Sequence, residues 1–307
     1  MLENVYIVIA TYNGEKWIKT CLQSCKGYTV IVVDNNSTDA TVSLIKQNFP
    51  EVILIEESNN HGFGKANNIG IRFALDKGAS HVFLLNQDAY LCDDVLEVLV
   101  KLQSKSPEYG ILSPIHLSSE KRGIDAKFMD YVSYKNCANL HSDLFLNKPL
   151  KAIYDVAFVN AAAWLISRSC LETVGGFDPL FYHYGEDDNY CQRLSYHGYK
   201  LGMVPNTYII HDRENIDHHK VEKFSEAYFK NKLKGYKIDF ANVNRVDTLL
   251  RIEAQKKLLQ KTILKMMVFL KLSKAHNWLR ELRELKNIEQ DIFSSIKKNK
   301  TKGTHYL

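Results

Sequence analysis

Three carboxylates stand side by side at Glu186-Asp187-Asp188, a fourth at Asp88 closes an apolar run, and His211 closes another. Adjacent carboxylates repel one another, so at least one keeps its proton to higher pH than an isolated acid, as a general base working near neutrality requires. The same triplet ahead of a helix is also what the helix dipole favours as a plain acidic cap cluster. Asp88 follows His81-Val82-Phe83-Leu84-Leu85-Asn86-Gln87. A carboxylate there suits a divalent metal, or equally caps the helix that Asp93-Asp94-Val95-Leu96 starts. His211 ends Tyr208-Ile209-Ile210 and offers the imidazole that Mn²⁺ accepts, although a lone histidine at a strand end is more often structural.

These groups need elements to hold them. An apolar run such as His81 to Leu85 predicts a strand buried on both faces, and open α/β sheets take their ligands at the carboxyl ends of such strands. Val5 to Ala10, Thr29 to Val33 and Val52 to Ile55 are further runs, separated by helical spacing over 15–22 and 39–48. The alternation predicts right-handed crossovers and a parallel sheet. Polar residues follow each strand: Thr11 and Asn13, then Asp34 and Asn36, then Asn59, Asn60 and His61. Asp34 alone is as well explained as a cap beside Ser37.

Asn60 to Gly70 carries Gly62 and Gly64 and opens a helix to about Asp76, whose free backbone N–H groups suit an anion such as a diphosphate. It has neither the G-K-[ST] of a Walker loop nor a full G-x-G-x-x-G. From 109 to 154 the pattern is poor, broken by Pro114 and Pro149, and reads as an insertion facing an acceptor. Asp155 to Ile166 then predicts a strand running through Ala161-Ala162-Ala163, small residues that either leave room for a ligand or pack closely.

A hydrophobic fraction of 45% and a charged fraction of 24% are those of an ordinary globular protein. Six cysteines without C-x-x-C spacing predict free, mostly buried thiols in a reducing compartment. The N-terminus runs straight into a strand and lacks a basic leader, and no apolar run approaches the ~20 residues of a spanning helix. Both point to a cytoplasmic protein, free or peripheral on a membrane. Charge is asymmetric: residues 1–214 hold 19 Lys+Arg against 25 Asp+Glu, leaving 21 against 10 for 215–307 out of totals of 40 and 35. That basic part reads as three helices, over 222–234, 245–272 and 274–298. The middle one sets Leu249, Ile252, Leu259, Ile263, Met266, Met267 and Leu270 near one face among lysines, which suits an anionic membrane surface or packing on the rest of the chain or in a homodimer. Nucleic acid is disfavoured, since aromatics are few among the basic residues.

Ala10-Thr11-Tyr12-Asn13, Val33-Asp34-Asn35-Asn36-Ser37-Thr38-Asp39, Asn60 to Gly70 and Leu85-Asn86-Gln87-Asp88 resemble, in order and spacing, the blocks of inverting glycosyltransferase family 2. Within it they are most similar to the branch of bacterial rhamnosyltransferases of cell-surface polysaccharide synthesis. The resemblance spans residues 4 to 213 and implies a GT-A fold: α/β, a Rossmann-like, mainly parallel central sheet flanked by helices. The implied organisation is a catalytic domain over 1–214, with a donor half over 1–106 and an acceptor half over 107–214, followed by a helical extension over 215–307. The implied activity is transfer of a sugar from a nucleotide-diphosphate sugar (dTDP-rhamnose-like or UDP-sugar) to a hydroxyl of a glycan or lipid-linked glycan, with Mn²⁺ or Mg²⁺. Thr11, Tyr12, Asn13, Asp34, Asn36, Gly64, Asn67 and Gln87 match donor-binding positions, and Asp88 and His211 metal positions. Asp187, beside Glu186, matches the catalytic base. The family's D-x-D is Asn86-Gln87-Asp88 here, and the later Asp of its E-D-x-D block is Asn189, a change expected to bear on acceptor positioning. Rival readings are a catalytically silent nucleotide-sugar-binding protein, suggested by those two losses, and a sugar nucleotidyltransferase. The latter wants a basic glycine-rich loop after the first strand, where Thr11-Tyr12-Asn13-Gly14 stands.

Overall fold

A computed structural model describes residues 4–120, 123–213 and 221–307. In chain order it runs β1 (Val5–Thr11), α1 (Ile18–Ser24), β2 (Thr29–Asp34), α2 (Thr41–Asn48), β3 (Ile53–Glu56), α3 (Phe63–Asp76), β4 (His81–Leu85), β5 (Ala89–Leu91) and α4 (Val95–Lys105). There follow β6 (Tyr109–Ser118), α5 (Ala126–Tyr131), α6 (Ala138–Phe145), β7 (Tyr154–Val156), β8 (Ala163–Ser167), α7 (Arg168–Val174), α8 (Glu186–Tyr196) and β9 (Lys200–His211). Three helices close the chain: α9 (Glu226–Phe240), α10 (Thr248–Val268) and α11 (Leu272–Asn299). The domain boundary expected at 214/215 lies outside the described residues.

The sheet has the order β3-β2-β1-β4-β8-β6-β9-β5, with β7 beside β9. β3, β2, β1 and β4 are parallel, as helical crossovers require. Beyond them the sheet is mixed, which departs from the mainly parallel expectation: β8 runs antiparallel to β4 and β6. It is entered from a long excursion through α5, α6 and β7 instead of a single crossover helix, so nothing holds it to the parallel direction. The stretch 109–154 also differs from expectation, because its first ten residues are β6, an interior strand. Ser113, Pro114 and His116 hide it by breaking the apolar run, and Pro114 sits at a register shift against β9.

Alternate residues of β1 and β4 feed two cores. Val8, Val82 and Leu84 meet Ala66, Ile71 and Ala74 of α3, while Ile7, Ile9, Phe83 and Leu85 join Ile18 and Cys21 of α1 and Leu96 and Leu99 of α4. None of the six cysteines is in a disulfide, and all but Cys92 are buried. The close seating of α3 depends on Gly70, where a Cβ would collide with the Val8 methyls and stand 3.3 Å from Val33 Cγ2. Gly70→Ala should therefore cost about 1–3 kcal/mol by overpacking, read as a lower midpoint in urea denaturation; an unchanged midpoint would mean that the helix–sheet spacing relaxes freely.

The third core joins Phe181, ahead of α8, to Phe240, Ile252, Leu259, Leu282, Leu285, Ile288 and Ile292 of the C-terminal helices. Polar ties reinforce it, since buried Asp178 accepts from Ser295 Oγ and Asn299 Nδ2 at 2.6 Å each. Among the described residues no helix is long and apolar enough to cross a membrane.

Candidate active site

The strand register gathers the polar loops at one rim. Thr11 pairs with Asp34 and Asp34 with Glu56, so β1, β2 and β3 end level. β4 stops at Leu85, and Thr11 Oγ1 donates to Gln87 Oε1 at 2.6 Å across the gap. β5 then pairs antiparallel with the end of β9, Ala89 opposite His211, and the Asp212 N–H donates to the Asp88 carbonyl at 2.7 Å. That ladder brings Asp88 Oδ1 within 3.5 Å of His211 Nε2. The capping alternative for Asp88 is excluded: α4 starts at Val95 behind Asp94.

These ends border a cleft of about 1350 Å³. Thr11, Tyr12, Gln87, Asp88, Glu186, Asp187 and His211 all line it, so seven of the twelve residues expected to bind donor or metal or to catalyse come together. The others stand apart. Asn13 and Asn36 are exposed turn residues with φ of 47° and 67°, and Asn13 Oδ1 accepts from the Thr38 N–H at 2.8 Å, tying the first two loops together. Asp34 is buried; one carboxylate oxygen accepts from the Ser37 N–H at 3.0 Å and the other has no protein partner. Asn67 is buried and donates to the Phe63 carbonyl at 3.0 Å within α3. At Gly64 a Cβ would stand 2.9 Å from Phe177 Cβ, so this glycine serves helix packing, and Gly62 and Phe63 are the residues of that turn that reach the cleft.

The facing wall is the first turn of α8, entered through Gly185 at φ 98°. Asp187 accepts from the Ala161 N–H at 3.4 Å and the Asp188 N–H at 3.2 Å. Burial outweighs those donors and holds its carboxyl above the usual range. Burial and the Asp187 charge push Glu186 up to about 7, and they push Asp188 to about 6. Both meanings of the alanine run are realised: Ala161 and Ala162 line the cleft, while Ala163 is packed in the core. Asn189 turns inward, contrary to its expected bearing on acceptor positioning. It is fully buried and accepts from Arg193 Nε at 3.0 Å, orienting a guanidinium that donates to the Val174 and Gly176 carbonyls.

Several cleft residues were not singled out in the sequence. Arg213 donates to His211 Nδ1 at 3.2 Å and pairs with Asp125 at 3.3 Å, its signal being a cation two residues past the strand-end histidine. Lys234 of α9 enters from the C-terminal helices, and no local pattern marks it. Tyr182, whose hydroxyl donates to the Asn60 carbonyl at 3.0 Å, links the two sides of the opening. Trp17 Nε1, Asn86 Oδ1, Asn160 Oδ1, Glu186 Oε2 and Arg213 Nη2 are buried in this lining without protein partners. Buried polar atoms left unmade are costly, and their concentration here is what a polar ligand would satisfy.

A divalent cation fits the donor chemistry on terms that the structure limits. Asp88 and His211 are the converging pair, and no group of three or more His, Cys, Asp or Glu residues is placed to hold a metal among the described residues. Two protein donors suit Mg²⁺ or Mn²⁺ that keeps its other positions for phosphate oxygens and water, not a closed zinc site. Since His211 Nδ1 accepts from Arg213, the neutral ring carries its proton on Nε2, facing Asp88. Asp88 can therefore ligate as it stands, whereas His211 must first exchange its partners.

The comparisons agree with this architecture. The sequence profile described as Glycosyl transferase family 2 matches residues 6–175. The dTDP-rhamnosyl transferase RfbF of Shigella flexneri is 27% identical over 218 residues, covering 69% of this chain and 70% of that one. Rhamnosyltransferase WbbL of Escherichia coli K12 is 28% identical over 251 residues, covering 75% of this chain and 90% of that one. Among solved structures, the mannosyltransferase PcManGT of Pyrobaculum calidifontis, in complex with GDP-Man and Mn²⁺, superposes with a TM-score of 0.52 at 19% identity over 95% of this chain and 75% of its own. That likeness is one of fold, and the fold is GT-A. With a profile match over more than half its length and strand ends that gather the family's blocks around one cleft, the chain belongs to glycosyl transferase family 2.

Proposed function

We propose that this glycosyltransferase moves a deoxyhexose of the rhamnose type from a dTDP-sugar to a hydroxyl of a glycan or lipid-linked glycan, with inversion, in cell-surface polysaccharide synthesis. The observation that carries the reading is the placement of Asp88 and the Glu186-Asp187-Asp188 turn on one cleft. The donor half of the proposal rests on Thr11, Tyr12 and Gln87 in the lining. The names of the two bacterial relatives favour rhamnose and dTDP over other sugars and bases.

In the proposed reaction Asp187 takes the proton of the acceptor hydroxyl while that oxygen attacks the anomeric carbon from the side opposite the diphosphate. The bond from that carbon to the diphosphate oxygen breaks, and the diphosphate leaves with the electron pair. Asp88 and, after its exchange of partners, His211 are the residues that would hold Mn²⁺ or Mg²⁺, which supplies positive charge to the leaving diphosphate. Arg213, with one buried unpartnered nitrogen, is placed to add to that charge. Glu186, close to half protonated near its pKa of about 7, can both donate and accept hydrogen bonds to the acceptor. The proposal includes a cytoplasmic enzyme working at the membrane that carries a lipid-linked acceptor.

The test is incubation of the purified protein with dTDP-rhamnose, UDP-sugars and GDP-sugars in turn, with Mn²⁺ and with a chelator. Release of dTDP, dependent on metal and on added acceptor, is expected, and NMR of the product reads the anomeric configuration. Binding of the donor without turnover on any acceptor would favour a silent binding protein, and a retained anomeric configuration would remove the single-displacement scheme.

A further inference from the structure

The sequence sets one apolar face on the middle C-terminal helix, available either to a membrane or to packing. The structure divides that face. At its root, Ile252 and Leu259 are buried against Leu282, Leu285 and Ile288 of α11, and Lys256 Nζ binds both Glu289 oxygens at 2.6 and 2.7 Å. α10 and α11 are thus two sides of a hairpin, and a helix so committed cannot lie flat in a bilayer on the same face. Towards the turn the packing ends. Met267, Val268, Phe269, Leu270 and Leu272 crowd the tip, with Phe269 61% and Leu270 83% exposed. The turn is ordered by its own backbone: Leu270 takes φ 53°, and the Lys271 N–H donates to the Met266 carbonyl at 2.8 Å.

Charge surrounds the tip in one sign. No Asp or Glu occurs from Ala254 to Arg280. Lys261, Lys265, Lys271 and Lys274 flank the turn, and all four are exposed. We propose that this hairpin tip docks the protein on an anionic membrane, with the apolar turn entering the headgroup boundary and the lysines meeting lipid phosphates. Apolar side chains at a convex turn ringed by lysines match a negatively charged interface with an apolar interior. A second copy of the chain is a poor occupant, because the same tip would set lysine against lysine. Docking through the tip adds no spanning segment, in keeping with the absence of any helix able to cross among the described residues. It also gives the C-terminal helices a second task, since α9 of the same bundle delivers Lys234 and Ile238 to the cleft.

The proposal does not rest on the transfer reaction, and its test needs neither donor nor acceptor. The full chain is floated with phosphatidylcholine vesicles, with and without phosphatidylglycerol, at low and high salt. Binding to the anionic vesicles alone, weakened by salt, is expected. The pairs Phe269→Ser with Leu270→Ser and Lys265→Glu with Lys271→Glu should each lower partitioning about tenfold or more. All four side chains are exposed, so melting temperatures should match wild type. Absence of binding to anionic vesicles, equal binding to both vesicle types, or variants that float like wild type would overturn the proposal. So would a dimer in light scattering that Leu270→Ser dissociates, which would give the tip to a second copy.

Discussion

Asp187→Asn is expected to lower sugar transfer by about 10²–10⁴-fold, the usual contribution of a positioned general base, while nucleotide binding stays at the wild-type level. The amide keeps the shape of the carboxylate but has no basic oxygen, and its single oxygen can accept from only one of the Ala161 and Asp188 N–H groups, which meet different oxygens of Asp187. The pH profile of the wild type follows from the direction of the Asp187 shift. A base held above the usual carboxylate range works only once deprotonated, so activity should climb with pH through a raised limb. Burial sets that limb, the backbone N–H groups and the Lys234 charge from α9 pull it back down, and the Asp187 charge in turn raises Glu186, Asp188, Tyr131 and Cys191. Stability should run the other way. For carboxyls whose folded pKa is raised, the stabilising protonated form is fully present below the ordinary carboxylate range and is lost as pH rises through about 6 for Asp188 and about 7 for Glu186. Removing the Asp187 charge relieves both neighbours and offsets the N–H contact that the amide loses, most of all above neutrality, so the Asn variant should compare best with wild type there. An inactive variant that is also destabilised at every pH would assign Asp187 a packing role, and an active one would move the base elsewhere in the cleft.

What could be read in the sequence, and what could not, divides by the range of the interaction. Asp88, His211 and Asp187 declared themselves locally, each standing at the end of an apolar run or the start of a helical one, where the sheet's geometry leaves a side chain free. Lys234 and Asn160 could not, because their entry into the cleft depends on how the C-terminal helices and the segment before β8 pack. Gly64 and Asn67 lie outside the cleft lining for a reason of the same kind. A glycine and an amide at a helix start look like a phosphate cradle, yet contact with Phe177 and the Phe63 carbonyl occupies them, and that contact is invisible without the fold. The strand β6 was hidden for a third reason. Its polar residues are buried inside the sheet: Ser113 Oγ donates to the Pro114 carbonyl at 3.1 Å and lies 3.4 Å from His116, whose ring packs on Phe128 and His211. A pattern of alternating hydrophobicity does not register residues buried in this way.

The weakened acidic motif makes the second large effect sharper, because Asn86 leaves Asp88 without a neighbouring acid to share a cation. Asp88→Asn should reduce metal-dependent affinity for a nucleoside diphosphate by about 100-fold or more, since even outer partners of metal ligands are worth about 10–100-fold. The backbone that sets the position is indifferent to the change: it is the Asp88 carbonyl that accepts from the Asp212 N–H, and Ala89 remains opposite His211. His211→Ala should cost less, about 10–100-fold, because in the structure its ring already serves Arg213 through Nδ1 and reaches Asp88 only at 3.5 Å. Calorimetric titration of dTDP separates the possibilities. Wild type and Asp187→Asn should both lose affinity when a chelator replaces Mn²⁺, whereas Asp88→Asn should start weak and respond little. If Asp88→Asn instead binds with full, chelator-sensitive affinity, the cation is held by other groups and Asp88 serves the strand turn alone. If His211→Ala exceeds Asp88→Asn in its loss, the histidine is the principal donor, and the Arg213 contact must break on metal binding. The difference between these outcomes lies in two side chains that one short antiparallel ladder, β5 on β9, brings within 3.5 Å of each other.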